Sequence, residues 1–227
     1  MTPTRARTAH LVVALVATLA LVLQTVLVVS GASVLAETAV PPLATRLGRL
    51  VSYFTIQSNL LVAVTAWQLW HDPLRDGRWW RPVRLAALVG ITVTGLVHFV
   101  LLRPLLHLEG LNYVADKLLH MVVPVLAIAV WAAVGPRPRS SWRSAPEVLV
   151  WPLLWLAYTL VVGGLSGWYP YPFLDPSGNG WGAVVAACVG ITVLVVAVGA
   201  AYVALDRRLS AAPRAGHDVS AVGATAE

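Results

Sequence analysis

Six long apolar segments, separated by shorter polar connections, dominate the pattern of hydrophobic and polar positions along the chain. Each segment comes close to the about 20 apolar residues that an α-helix needs to cross a bilayer. The pattern therefore predicts an all-α fold, an integral membrane bundle of six transmembrane helices. The predicted spans cover residues 11–30, 51–70, 84–102, 118–134, 148–165 and 182–205.

Residues 1–209 are predicted to form one transmembrane domain, which leaves no room for a separate soluble domain. Residues 210–227 are small, polar and aperiodic, so they are predicted to form a disordered cytoplasmic tail. Composition agrees with a chain embedded in lipid, because 58% of its residues are hydrophobic and only 11% are charged. The single cysteine, Cys188, excludes an intrachain disulfide and a cysteine-based metal site.

The distribution of basic residues predicts the orientation of the bundle. Twelve of the 16 Lys and Arg residues fall in the N-terminal tail, the second and fourth loops and the C-terminal tail. Because cytoplasmic loops carry an excess of Lys and Arg, both termini are predicted to be cytoplasmic, in a multi-pass protein of the cell membrane. The net charge of +6 is then a consequence of topology, and no nucleic-acid partner is expected.

Polar side chains that would lie among lipid cluster toward the outer face in this orientation. Ser52, Thr55 and Asn59 open the second span at i, i+3 and i+7, which places them along a single stripe of a helix. Polar groups in hydrocarbon are costly and are rarely retained without a partner or a task. The stripe is therefore either a hydrogen-bonded contact between helices or one wall of a binding site.

Histidines mark the same side of the third and fourth spans. His98 stands near the outer end of the third span, and Asp116 and His120 begin the fourth span at i, i+4 spacing. A carboxylate one helical turn away can orient an imidazole, and a shared cavity in the outer leaflet is geometrically allowed. The alternatives are a histidine that satisfies a backbone carbonyl and a hydrated pair at the membrane edge.

The connection before the sixth span, residues 167–180, is rich in proline, glycine and aromatic residues. Prolines fix φ and suppress regular structure, while the aromatic side chains make the loop amphipathic. Such a loop can fold over the helix ends as a lid, in which Tyr171 and Asp175 would contact a bound substrate. The alternative is an aromatic anchor at the membrane interface.

Three segments together resemble the Pr6Pr family of bacterial six-helix integral membrane proteins. They are YFTIQSN at residues 53–59, the pattern Asp116-x-x-x-His120-x-x-x-Pro124, and YPYPFLD at residues 169–175. The resemblance runs from about residue 10 to residue 208 and implies a six-span membrane protein. It implies no particular activity.

A more distant similarity is to the androgen-induced membrane proteins, intramembrane hydrolases of fatty acid esters of hydroxy fatty acids. That similarity implies a threonine nucleophile at Thr55 and a histidine at His120. From the residues themselves, His120 can act as the base, Asp116 can orient it, and Asn59 or His98 can donate hydrogen bonds to an oxyanion. The resulting hypothesis is a Thr/His hydrolase of lipid esters at the outer leaflet, which requires Thr55 and His120 in hydrogen-bond contact beside a cavity.

The competing hypothesis is a bundle without enzymatic activity, either a small transporter or a scaffold protein. A proton-coupled transporter usually needs ionisable groups near the middle of the membrane, and often an internal repeat. Here the polar groups lie at one end of the spans and no repeat of three spans is evident. Membrane lipids and a lipid ester are the expected partners, no cofactor or metal ion is expected, and the oligomeric state is left open.

Overall fold

The computed structural model describes residues 3–32, 40–137, 139–142 and 146–211. Within these residues all regular secondary structure is helical, so the all-α prediction is confirmed. The α-helices are α1 (Pro3–Val29), α2 (Leu43–Ser52), α3 (Phe54–His71), α4 (Trp80–Val97), α5 (Gly110–Lys117), α6 (Val123–Val134), α7 (Glu147–Ser166) and α8 (Pro176–Ala211).

Helix length and hydropathy make the chain a multi-span integral membrane protein. Five helical stretches of the described residues are long and apolar enough to cross a membrane, namely Pro3–Val29, Trp80–Leu105, Gly110–Val134, Glu147–Ser166 and Pro176–Ala211. Helices α2 and α3 pass the same test together, although they are bent by 69° at the break between them. The number of candidate spans is therefore five to six.

The outward face of α1 is apolar, as a surface in contact with lipid has to be. Leu15, Leu19, Val22 and Val26 recur at helical spacing, and each exposes at least 52% of its surface. In water an apolar stripe of this length would drive association, whereas lipid chains solvate it. The exposed residues thus support the same conclusion as the length of the helices.

Helix α4 lies at the centre of the bundle and packs against α3, α6, α7 and α8. Helix α1 makes its largest interface with α3, where Ala14, Ala17 and Ala20 are buried in one cluster with Val62 and Ala66. Small side chains allow helix backbones to approach closely, and such packing is what holds helices together in lipid.

The second predicted span is broken rather than continuous. Helix α2 ends at Ser52, Tyr53 is extended with φ −69° and ψ 126°, and α3 begins at the next residue. The prediction that Ser52, Thr55 and Asn59 form a stripe of one helix is therefore wrong, because Ser52 belongs to the other helix. The break makes Thr55 the second residue of α3.

Two π-helical turns interrupt other spans, and each carries a histidine. His98–Leu102 continues α4, and Leu118–Val122 joins α5 to α6. Pro124 follows the second turn and has no N–H to donate to the carbonyl of His120 one turn earlier, so the regular α-helical ladder cannot continue there. Turns widened in this way are frequent at functional sites.

Gly95 allows α4 to approach this irregular backbone. A Cβ atom at Gly95 would lie 3.2 Å from the carbonyl oxygen of His120 and 3.4 Å from Cβ of Pro124. The first separation is shorter than ordinary van der Waals contact and the second is at its lower limit, so a side chain at Gly95 would require the backbone at His120 to move by a few tenths of an ångström. The glycine therefore brings the π turns of α4 and α6 close together.

Helix α8 is longer than the sixth predicted span and contains a non-helical residue, Gly180, with φ 74° and ψ 154°. The helix continues through Ala211, beyond the predicted start of the tail at residue 210. The rest of the predicted tail, residues 212–227, lies outside the described residues.

Candidate active site

A cavity of about 230 Å³ opens among the helix ends of the bundle. Its walls come from the end of α1, α2, the start of α3, the π turn after α4, the start of α5 and the connection before α8. Much of the wall is aliphatic, and its polar side chains include Thr55, His98, Asp116, His120 and Tyr171. The structure thus brings five of the seven predicted site residues to one cavity.

Thr55 and His120 are in hydrogen-bond contact, with Thr55 Oγ1 3.2 Å from His120 Nε2. The other ring nitrogen, Nδ1, lies 3.0 Å from Asp116 Oδ1 and 3.0 Å from the backbone oxygen of Asp116. An ionised carboxylate and a carbonyl only accept hydrogen bonds, so these partners assign the proton of a neutral imidazole to Nδ1. His120 Nε2 then accepts a hydrogen bond from the Thr55 hydroxyl.

Asp116 is nearly buried, and three side chains converge on its carboxylate. Oδ1 lies 3.0 Å from His120 Nδ1 and 3.5 Å from His98 Nε2, while Oδ2 lies 2.8 Å from Lys117 Nζ. A buried carboxylate is costly unless it is paired, and Lys117 supplies that pairing. The rings of His98 and His120 stack, with centroids 3.9 Å apart and planes inclined by 13°.

Tyr171 brings the connection between α7 and α8 into contact with Thr55. Its hydroxyl oxygen accepts a hydrogen bond from the backbone N–H of Thr55 at 3.3 Å and lies 3.3 Å from Thr55 Oγ1. Burial raises the pKa of the Tyr171 phenol above its ordinary value, so the phenol keeps its proton. That proton can be donated to Thr55 Oγ1 or to an oxygen atom of a bound molecule.

The ring of Tyr171 is held in place by other aromatic side chains. Tyr53 and Tyr171 meet edge to face at 5.8 Å, and Phe173 stacks on Tyr171 at 5.4 Å. Edge-to-face and stacked rings are favourable arrangements. The predicted lid residue therefore lies over the start of α3 in a fixed position.

The start of α3 gives this site a positive electrostatic environment. The first N–H groups of a helix have no partner within the helix, and the helix dipole places partial positive charge there. Thr55 is in this first turn, and its N–H is donated to Tyr171 rather than to its own helix. Negative charge that develops near Thr55 is stabilised by this arrangement.

Asn59 and Asp175, both predicted to bind substrate, do not form part of the cavity wall. Asn59 Nδ2 donates to the backbone oxygens of Thr55 at 2.8 Å and of Leu119 at 3.2 Å, which ties α3 to the neighbouring π turn. Asp175 precedes α8 and accepts hydrogen bonds from the N–H and hydroxyl of Ser177, which hold the pKa of Asp175 below its ordinary value. Asn59 therefore supports the site through the backbone, whereas the side chain of Asp175 bonds locally at the start of α8.

A second cavity, of about 70 Å³, also reaches Thr55 and Tyr171. Its walls are mostly aromatic and aliphatic and include Phe54, Trp155 and Leu156. Because Thr55 and Tyr171 line both cavities, they form part of the partition between a larger space with polar groups and a smaller apolar one.

Lys117 was not predicted as a member of the site. The sequence did offer an indication of its role, because Lys117 directly follows Asp116 and lies on the side of the membrane where basic residues are predicted to be rare. The contact between Tyr171 and Thr55 joins residues 116 positions apart, and nothing in the local sequence indicates it.

Comparisons of the chain with protein-family models, with curated proteins and with solved structures gave no match. The resemblances to the Pr6Pr family and to the androgen-induced membrane proteins therefore stay predictions. Conclusions about function depend on the geometry of the site.

Substituting Asn59→Ala is expected to destabilise the protein by about 1–3 kcal/mol, because it removes a buried amide that donates to the backbone oxygens of Thr55 and Leu119 and so joins α3 to the π turn. The matched control is Asn112→Ala on α5, which removes the same amide without losing a contact between α3 and the π turn. Thermal unfolding in detergent would measure both variants. Equal stability of the two variants would contradict the interhelical role of Asn59.

Proposed function

We propose that this protein is an intramembrane Thr/His hydrolase of lipid esters. The observation that carries the proposal is the hydrogen-bonded series from Thr55 Oγ1 to His120 Nε2 and from His120 Nδ1 to Asp116, beside a cavity. A threonine hydroxyl is a weak nucleophile until a base removes its proton, and an imidazole oriented by a carboxylate is suited to that task. Tyr171 supplies a hydrogen-bond donor beside the same oxygen, and the start of α3 supplies partial positive charge.

The reaction follows from these positions. Thr55 Oγ1 attacks the carbonyl carbon of the ester while its proton passes to His120 Nε2, and Asp116 stabilises the imidazolium that forms. When the C–O bond to the alcohol breaks, His120 returns the proton to the departing alkoxide. Water then attacks the acyl–Thr55 ester with the same base, which releases the acid and restores the threonine. Tyr171 is placed to donate a hydrogen bond to the oxyanion.

The two cavities favour an amphipathic ester as the substrate. The smaller cavity is lined by aromatic and aliphatic side chains and fits an apolar chain. The larger cavity is lined by Arg46 and Arg49 as well as by the polar side chains around Asp116. A volume of about 230 Å³ accommodates the ester group with its immediate neighbours. The rest of a lipid would extend into the surrounding bilayer.

The proposal includes the topology that places the site. Counting the bent pair α2 and α3 as one span gives six spans, and the excess of basic residues then assigns both termini to the cytoplasm. In that orientation the cavity lies at the outer leaflet of the cell membrane. Membrane lipids can then reach it sideways from the leaflet, and the resemblance to the Pr6Pr family agrees with the six spans.

Removing the nucleophile or the base is expected to abolish ester hydrolysis. Thr55→Ala and His120→Ala should each lower the rate by at least about 100-fold, since general-base catalysis alone contributes that much. The assay is release of 4-methylumbelliferone from its fatty acyl esters by purified protein in detergent micelles. Thr92→Ala is the matched control, because Thr92 contacts Tyr202 and lines neither cavity. A Thr55→Ala variant that hydrolyses as fast as the unmodified protein would refute the nucleophile.

Tyr171→Phe is expected to lower kcat on the order of 100-fold with little change in KM, as loss of one oxyanion donor does. Tyr158→Phe is its control, because the Tyr158 hydroxyl bonds Ser52 on α2, outside both cavities. The same ester assay gives both constants. A Tyr171→Phe effect confined to KM would show that the hydroxyl binds substrate and does not act in the transition state.

Single cysteines introduced on a Cys188→Ala background test the topology. Gly178→Cys, in the first turn of α8, should react with a membrane-impermeant maleimide in intact cells, whereas Leu74→Cys, between α3 and α4, should react only after the membrane is permeabilised. Both positions are exposed, and a Cβ at Gly178 meets nothing within 4 Å. The opposite labelling pattern would place the site at the inner leaflet.

A further inference from the structure

Two imidazoles in the site point at a single carboxylate oxygen. Asp116 Oδ1 lies 3.0 Å from His120 Nδ1 and 3.5 Å from His98 Nε2. One ligand atom of each of the three residues lies within 4.8 Å of the other two. The base of a threonine nucleophile needs one imidazole and one carboxylate, and the proposed mechanism takes its oxyanion donor from Tyr171. The predicted role of His98 as an oxyanion donor is therefore not used.

His98 is the residue that the proposed hydrolysis leaves unexplained. It exposes only 2% of its surface, and neither of its ring nitrogens makes a hydrogen bond to any residue in the described ranges. A buried imidazole without hydrogen bonds is costly. Its Nε2 nevertheless faces Asp116 Oδ1, and its ring stacks on His120.

We propose that His98, Asp116 and His120 bind one zinc ion or a similar divalent transition metal. Imidazole nitrogens and a carboxylate oxygen are the ligands that zinc prefers, and three such ligands leave a fourth position open. Neighbouring ligands on a tetrahedral zinc ion are separated by about 3.3 Å, given bonds of about 2.0–2.1 Å. The separations of 3.0 Å and 3.5 Å around Asp116 Oδ1 are close to that value.

The surroundings of the three ligands suit a metal site. Lys117 Nζ holds Asp116 Oδ2 at 2.8 Å, which leaves Oδ1 as the single oxygen presented to the histidines. Outer contacts of this kind fix the orientation of metal ligands. All three ligands line the larger cavity, so the open position would face a space that a water molecule or a substrate oxygen can enter.

Metal binding would change the chemistry of Thr55, and this step depends on the proposed hydrolysis. A metal on His120 Nδ1 displaces the proton from that nitrogen, and the neutral ring then carries its proton on Nε2. Nε2 would donate a hydrogen bond to Thr55 Oγ1 instead of accepting one. The histidine could no longer remove the threonine proton, so the ion would inhibit hydrolysis.

Metal binding can be measured without any substrate. The full chain, purified with an affinity tag that contains no histidine, should bind one Zn²⁺ per chain by elemental analysis and should give the visible spectrum of tetrahedral Co²⁺. His98→Gln should weaken binding by at least about 100-fold, a loss as large as removing an outer contact can cause. His71→Ala, at the opposite end of α3, is the control and should bind like the unmodified protein.

A second variant guards against misfolding of the first. His98→Cys on a Cys188→Ala background replaces one zinc ligand by another, so it should retain the metal and add a sulfur-to-cobalt charge-transfer band. A folded protein that binds no Zn²⁺, or a His98→Cys variant without that band, would overturn the metal site.

Two further measurements separate the metal site from the hydrolase. Thr55→Ala should keep full Zn²⁺ binding and lose hydrolysis, while added Zn²⁺ should slow hydrolysis by the unmodified protein. Absence of Zn²⁺ binding, with hydrolysis that still depends on Thr55, would refute the metal site alone. Hydrolysis that needs Zn²⁺ and survives Thr55→Ala would refute the threonine mechanism and the inhibitory role while supporting the metal site.

Discussion

A helix that starts inside an apolar bundle has to find acceptors for its first N–H groups, because lipid offers none. This constraint acts at the break between α2 and α3, where Tyr53 is extended and α3 begins one residue before Thr55. The hydroxyl of Tyr171 accepts the Thr55 N–H, so the loop before α8 has to lie over this helix start. This hydrogen bond satisfies the backbone donor of Thr55 and positions the loop. It also brings the phenol of Tyr171 to the Thr55 hydroxyl. The larger cavity lies among the same helix ends.

Asp116 imposes a comparable requirement from the opposite wall. Its carboxylate is buried among helices, pairs with Lys117 and His120, and is faced by His98 at 3.5 Å, so the positions of the two histidines are linked through one group. The π turns make this possible, since each shifts a histidine relative to a regular α-helix. Gly95 keeps the two irregular helices close enough for the imidazoles to stack. Irregular backbone in a membrane bundle is tolerated where it is buried in protein or lines a cavity, and both turns meet that condition.

Hydrophobic patterning predicted the all-α bundle and most of its spans, because a run of apolar residues long enough to cross lipid has few other uses. The i, i+4 relation of Asp116 and His120 was predictable as well, since it depends only on local helix geometry. The break at Tyr53 was not, because residues 51–70 form one apolar run in the sequence. The break is stabilised by a loop more than 100 positions away, whose Trp168 and Tyr171 rings contact Tyr53 and whose Tyr171 hydroxyl accepts the Thr55 N–H. The π turns escaped prediction for a related reason. Pro124 indicates that one α-helical hydrogen bond is missing, but whether the helix kinks, ends or widens there depends on the residues that pack beside it.

Buried polar groups elsewhere in the bundle show why burial alone does not define the site. Arg84 is also buried and donates a hydrogen bond to Thr65 Oγ1 at 3.1 Å, so a charged group and a threonine hydroxyl meet there too. Neither residue lines either of the two cavities described above, and Thr65 donates its own hydrogen to the carbonyl of Leu61. That hydroxyl is occupied within its helix and has no base beside it. Thr55 differs in each respect, because its hydroxyl bonds the imidazole of His120 instead of a backbone carbonyl and lies between two cavities. Access for a bound molecule and a proton acceptor are the two features that Thr55, the proposed nucleophile, has and Thr65 lacks.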